Sequence, residues 1–203
     1  IVAYLRVGVP GASVPTLTAL DRLESALLAL LRETAPDAGS ATEPVLLYLS
    51  EVTQRLRNEG FADVLPEHVS KLLETLRQDG RELPGGRGSL GLRRLDRQTY
   101  QVVVQREWAD LEALSRLRRA CAQRVLTAFL ERLPQGVRGK DLEADLTLGQ
   151  IGRALKGDLA IAAELRDVPA AVQAALLYLH EQGVMTLAQG LSIFRSAMTL
   201  RLY

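Results

Sequence analysis

Few residues in this chain are of types that do chemistry, and their spacing decides what each could do. Gly86, Gly88 and Gly91 match by letter the glycine fingerprint of a dinucleotide site. That chemistry needs a strand before the glycines and a helix after them, so that the helix N-terminus faces the pyrophosphate. Here a β-compatible stretch follows, and the run reads instead as a flexible lead-in to a hairpin. Gly136-Val137-Arg138-Gly139-Lys140-Asp141 has the outline of a phosphate loop, yet its first Gly is misplaced and Asp141 stands where a magnesium-binding hydroxyl belongs. His68 and His180 are the only histidines, and neither has a second metal ligand three or four residues away. Ser89 lacks the glycine two residues before it that a nucleophile elbow requires. Cys121 falls on an apolar helical stripe and reads as core; being alone, it excludes an internal disulfide and suits a reducing cytoplasm. No active site, metal ion or cofactor is expected within this chain.

What remains is the arginine distribution. Charge balances over the whole chain, with 25 Lys and Arg against 24 Asp and Glu, but not along it. Residues 81–124 hold ten arginines and five acids, a net of +5 that leaves −4 for the rest. Guanidinium groups make two-pronged phosphate contacts, so Arg87, Arg93, Arg94 and Arg97 are candidate DNA-binding residues. Lys71 and Arg77 join them from the polar face of the preceding helix, off its Val69/Leu72/Leu73/Leu76 stripe. Glu67 and Glu74 on that helix would repel phosphate. The competing reading of all six is an ordinary charged surface.

These residues need elements to position them. Residues 1–9 form a β-compatible run broken by Pro10-Gly11 and Pro15, and leucines from 17 to 31 then recur at helical spacing. Residues 36–40 are a loop. A second helix is expected from Pro44, carrying Leu46, Leu49, Val52 and Leu56 inward, and a third over 66–79. A hairpin follows at 90–95 and 99–105, with 96–98 at its tip. The stripe Trp108, Leu114, Cys121, Val125 and Phe129 marks one helix over 108–133, about seven turns long. Beyond it come a short strand at 141–146, a helix over 147–156, a stretch at 157–167 open between helix and loop, and a helix over 169–182. A last hairpin is expected from 184–187 and 191–202, with Gln189-Gly190 near its turn.

Two of these segments, 103 positions apart, share their punctuation: Leu65-Pro66, Val69, Leu73, Leu76, Gly80 and Val168-Pro169, Val172, Leu176, Leu179, Gly183. Proline starts each helix, glycine ends it, and an alternating stretch follows. Helix, glycine stop and hairpin are the end of a winged helix. The fold class expected is mainly α with β (α+β): tandem winged-helix domains, each a three-helix unit with a hairpin wing. Residues 1–106 form the first unit, with the arginine-rich wing; residues 107–203 form the long connector helix and the second unit. The 169–182 helix is far more apolar than its counterpart and is expected to pack against protein.

With the second unit assembled, Ala174-Ala175-Leu176-Leu177-Tyr178-Leu179-His180-Glu181-Gln182-Gly183-Val184 and Gly190-Leu191-Ser192-Ile193-Phe194-Arg195-Ser196-Ala197-Met198-Thr199-Leu200-Arg201-Leu202 resemble a stretch of the large bacterial RecQ-like DNA helicases. The Val137–Leu142 segment and the layout of the elements give weaker support. The resemblance implies a superfamily 2 enzyme of DNA repair and recombination that unwinds DNA 3′ to 5′. Its ATP- and magnesium-dependent motor would lie elsewhere in a longer polypeptide. It also implies that the winged helices grip duplex or forked DNA; in such helicases a wing hairpin can act as a wedge at the fork, and which hairpin, if either, would do so here is open. In the first hairpin Arg97 and Tyr100 lie near the tip; in the second, Phe194 lies beyond the turn. The four zinc-binding cysteines of better-known relatives have no counterpart here, and no motor motif is present.

The partners expected are therefore DNA and the motor domains of the same polypeptide. At 203 residues and 47% hydrophobic content the chain can fill one large or two small cores. No apolar run reaches the length that spans a bilayer, so a soluble cytoplasmic chain is expected, with no membrane partner. It opens at Ile1 without Met and reads as a fragment of something longer. The alternative function is a protein-binding tandem winged-helix module of a chromosome-organising complex. A transcriptional regulator would show a clearly basic recognition helix and a dimerising element, and neither is evident.

Overall fold

The structure, a computed structural model, describes residues 4–9, 11–37, 43–133, 142–189, 191–192 and 201–202. It is an α+β chain that divides into two compact units, Ala19–Arg116 and a second made of Ile1–Thr18 with Leu117–Tyr203. The division expected between residues 106 and 107 is displaced. Strand β1 (Tyr4–Val9) finds its partners in the C-terminal half, and the boundary falls inside the two longest helices, α1 (Ser13–Thr34) and α4 (Trp108–Leu130).

The Ala19–Arg116 unit continues from α1 through β2 (Val45–Tyr48), α2 (Leu49–Asn58), α3 (Pro66–Gln78), β3 (Leu90–Arg94) and β4 (Thr99–Val104). The three strands form one antiparallel sheet in the order β2-β4-β3. The helix expected to begin near Pro44 therefore starts only at Leu49, because Val45–Tyr48 pairs with β4. Leu46, expected inward, stands 47% exposed, while its neighbour Leu47 is buried. Leu49, Val52 and Leu56 do face the core, which they fill with Leu27, Leu31, Leu72, Leu73 and Leu76.

Helix α3 follows its punctuation closely. Pro66 sits in its first turn, where a missing N–H is no loss, and the exposed His68 accepts the Leu65 N–H through Nδ1 at 3.2 Å. Gly80 stops it with φ of +85°, and Gly183 has the same role at +72° after α7 (Val168–Glu181). Both positions lie in the left-handed region that a side chain opposes. Trp108 anchors the start of α4 by donating Nε1–H to the Ala35 carbonyl at 2.9 Å, and Ser115 donates to the buried carboxylate of Glu24 at 2.7 Å.

In the other unit, α4 runs on to β5 (Leu142–Thr147), α5 (Leu148–Gly157), α6 (Leu159–Glu164), α7, β6 (Thr186–Gln189), β7 (Leu191–Ser192) and β8 (Arg201–Leu202). The stretch left open at 157–167 thus holds a short helix, capped by the Asp158 carboxylate on the Ala160 and Ile161 N–H groups. Thr147 and Gln150 form a reciprocal cap at the start of α5. The sheet runs β5-β1-β6, with the N-terminal strand in the middle and both its edges paired antiparallel. That corrects the last hairpin: β6 pairs with β1, while β7 pairs with β8. Its expected turn residue Gly190, the wedge candidate Phe194, the loop residues 38–40 and the phosphate-loop-like residues 136–141 lie outside the described residues.

The long stripe is buried in part. Cys121, Val125, Leu126 and Phe129 are buried, whereas Leu114 is half-buried. Among the described residues, no helix is long and apolar enough to cross a membrane.

Candidate nucleic-acid interface

The six candidate residues fall on α3, on the loop before β3 and on the β3–β4 hairpin of the Ala19–Arg116 unit. Lys71 is exposed on α3; Arg77, also on α3, is half-buried and holds Glu74 at 2.8 Å, which removes much of its charge from the surface. Arg87 is exposed in the loop before β3. Arg93 and Arg94 are successive residues of β3 and so stand on opposite faces of the sheet.

The two consequently differ. Arg94 lies over the Tyr100 ring at 6.0 Å and folds back on the turn, donating to the carbonyls of Asp96 at 3.0 Å and Arg97 at 3.4 Å. Arg93 is exposed and sits across from Gln101 of β4. Arg97 is exposed at the hairpin tip. The Asp96 carboxylate accepts the Gln98 N–H at 2.7 Å, which holds its pKa below the usual value, with the Thr99 hydroxyl assisting. The turn therefore keeps one fixed negative charge beside its arginines.

Tyr100, expected near the tip, does lie beside it, across from Arg94 at the end of β3, but it is buried, with its hydroxyl 2.8 Å from Ser70 Oγ. It ties β4 to α3 and is not available as a wedge. The apolar residue the tip does expose is Leu95, at 49%.

Several other arginines behind the +5 charge are also engaged within the protein. Arg106 donates from one terminal nitrogen to the Gly80 carbonyl at 2.9 Å and to the Arg87 carbonyl at 2.6 Å, tying the loop down at both ends. Arg118 is buried and stacks over Tyr178 at 4.6 Å, and Arg124 pairs with Glu131 at 3.4 Å. Arg81 and Arg116 are exposed. The residues missed in sequence are Leu46, Tyr48 and Leu95, large apolar side chains between 43% and 49% exposed on β2 and at the hairpin tip. A strand assignment at 45–48 would have exposed the first two, since alternation with Leu47 puts them on the outer face.

Among the described residues no group of three or more His, Cys, Asp or Glu could hold a metal ion. Comparison with family models, with curated proteins and with solved structures finds no match to this chain.

Proposed function

We propose that the chain is a tandem winged-helix, DNA-binding region of a RecQ-like helicase, gripping duplex or forked DNA beside an ATP-driven motor carried elsewhere in the polypeptide. The observation that carries the reading is the presentation of Arg93 and Arg97 on a hairpin whose neighbouring arginines are occupied within the fold. The order helix, strand, two helices and hairpin, with the first strand paired to the last, supports the winged-helix assignment of the Ala19–Arg116 unit. The resemblance of residues 174–184 and 190–202 supports the helicase assignment.

Fluorescence anisotropy with labelled duplex and forked DNA across a salt series tests it. Each phosphate contact removed flattens the slope of log K on log salt by roughly 0.9. Arg93→Ala with Arg97→Ala should therefore lower the slope by about two, alike for all sequences, while Arg94→Ala alone leaves it near the parent value. Gln173→Ala with His180→Ala should bind as the parent does. An unchanged slope in the double variant, or no binding by the parent at low salt, overturns the proposal.

The outward face of α3 favours a second reading, as a protein-binding module, because Glu67 and the Glu74–Arg77 pair leave Lys71 little net positive charge to offer a groove. Absence of DNA binding at low salt would move the assignment there.

A further inference from the structure

Resting on the DNA-binding reading, we propose that the outward face of the β2-β4-β3 sheet is a platform for a single-stranded segment of DNA, one base stacking on Tyr48 and an adjoining phosphate held by Arg93. The register places Leu46, Gln101 and Arg93 in one row across the three strands. Tyr48 lies two residues further along β2, on the same face as Leu46. Leu46 is 47% and Tyr48 43% exposed, so two large apolar side chains stand on a sheet surface beside an exposed guanidinium.

This exposure is built in. The opposite face carries Leu47, Tyr100, Val102 and Leu90 into the core, and a slip of one residue would exchange the two faces. Leu46 and Tyr48 therefore cannot be turned inward without exposing core residues.

Charge decides the occupant. No strand residue on the outward face is acidic, and Arg93 is the arginine of β3 that faces this way, since Arg94 lies on the other side and is bonded to the turn. Strand spacing and rise put the Tyr48 and Arg93 backbones roughly 12 Å apart, within the reach of an arginine to a phosphate next to a base on the ring. A duplex hides the faces of its bases and offers a hydrated backbone, against which an exposed tyrosine and leucine gain nothing. An unpaired strand offers both the π-face and the phosphate.

The test uses the whole chain with two probes, a short oligothymidylate carrying 2-aminopurine and a blunt duplex. The parent should bind the single strand and quench the 2-aminopurine. Tyr48→Ala should weaken single-strand binding by about 5- to 150-fold, the range that loss of one stacked base gives. It should abolish the quench and leave duplex affinity within about twofold, while Tyr48→Phe should behave as the parent. Arg93→Ala should weaken both probes. If the parent binds duplex but not the single strand, or if Tyr48→Ala binds the single strand as the parent does, the platform is refuted and the duplex-binding reading survives. If neither probe binds, both fall. Self-association by light scattering that Leu46→Glu abolishes, with single-strand binding intact, would assign the face to a second copy and refute the platform.

Discussion

At the scale of single residues, the same residue type serves opposite ends, and the sequence shows the type without the partner. Arg106, Arg94 and Arg93 read alike as positive charge in a basic segment. In the fold, one ties down a loop, one braces a turn and one faces outward. The partners are backbone carbonyls made available by the course of the chain, which no spacing reveals. Cys121 is the contrary case, legible as core from its stripe and found buried. Its burial, with the Asp158 charge adding to it, raises the thiol pKa from 9.0 to about 11. The folded chain thus holds this proton more tightly than the unfolded chain does. The associated stability is fully present below pH 9.0 and is lost as pH rises through about 11. Native protein at neutral pH should therefore leave a thiol reagent unreacted until urea unfolds it, and the thiolate absorbance should rise only toward the upper end of that window. Rapid modification of the native chain at neutral pH would show that the thiol is not shielded.

Among elements, those with their own start and stop signals were legible, and those defined by a distant partner were not. Helix α3 carried its proline, its 3–4 spacing and its glycine in sixteen residues of sequence. The apolar run at 45–49 fits either period, and pairing with Val102–Thr99, much later in the chain, makes the first four residues a strand. The glycines at 86 and 88 were legible as a lead-in to β3, but not the reason for Gly88. A Cβ there would run into the Arg77 carbonyl oxygen, so the loop passes directly against the last turn of α3. Since that obstacle is backbone and cannot rotate away, Gly88→Ala should destabilise the chain by about 1–3 kcal/mol, as overpacked sites do. Gly86→Ala is a useful companion: no atom lies within 4 Å of its Cβ, but its φ of +60° makes the change strained for a different reason. Thermal melts that leave Gly88→Ala level with the parent would mean that the loop can move off α3 at little cost.

For the molecule as a whole, chain order and spatial order part company. Residues 4–9 lie far from 142–189 in sequence, yet they form the central strand of the sheet that β5 and β6 complete. A β-compatible run at the N-terminus was legible; its destination was not, because strand alternation records which face is buried and nothing about which strand lies alongside. The arrangement makes a prediction about stability. Removing residues 1–9 leaves β5 and β6 without the strand between them, strips their inner edges of every partner that β1 supplies, and removes the buried Val7 and Val9. A sheet reduced to two unpaired strands is not stable in water. Hydrogen exchange on the truncated chain should therefore show protection lost in β5, β6, α5 and α7, with α2, α3, β3 and β4 protected as in the parent. Adding a peptide of residues 1–9 in excess should restore part of the lost protection. Equal loss throughout the chain would mean that the two units unfold as one, and unchanged protection in β5 and β6 would mean that β1 is dispensable to the sheet whose centre it occupies.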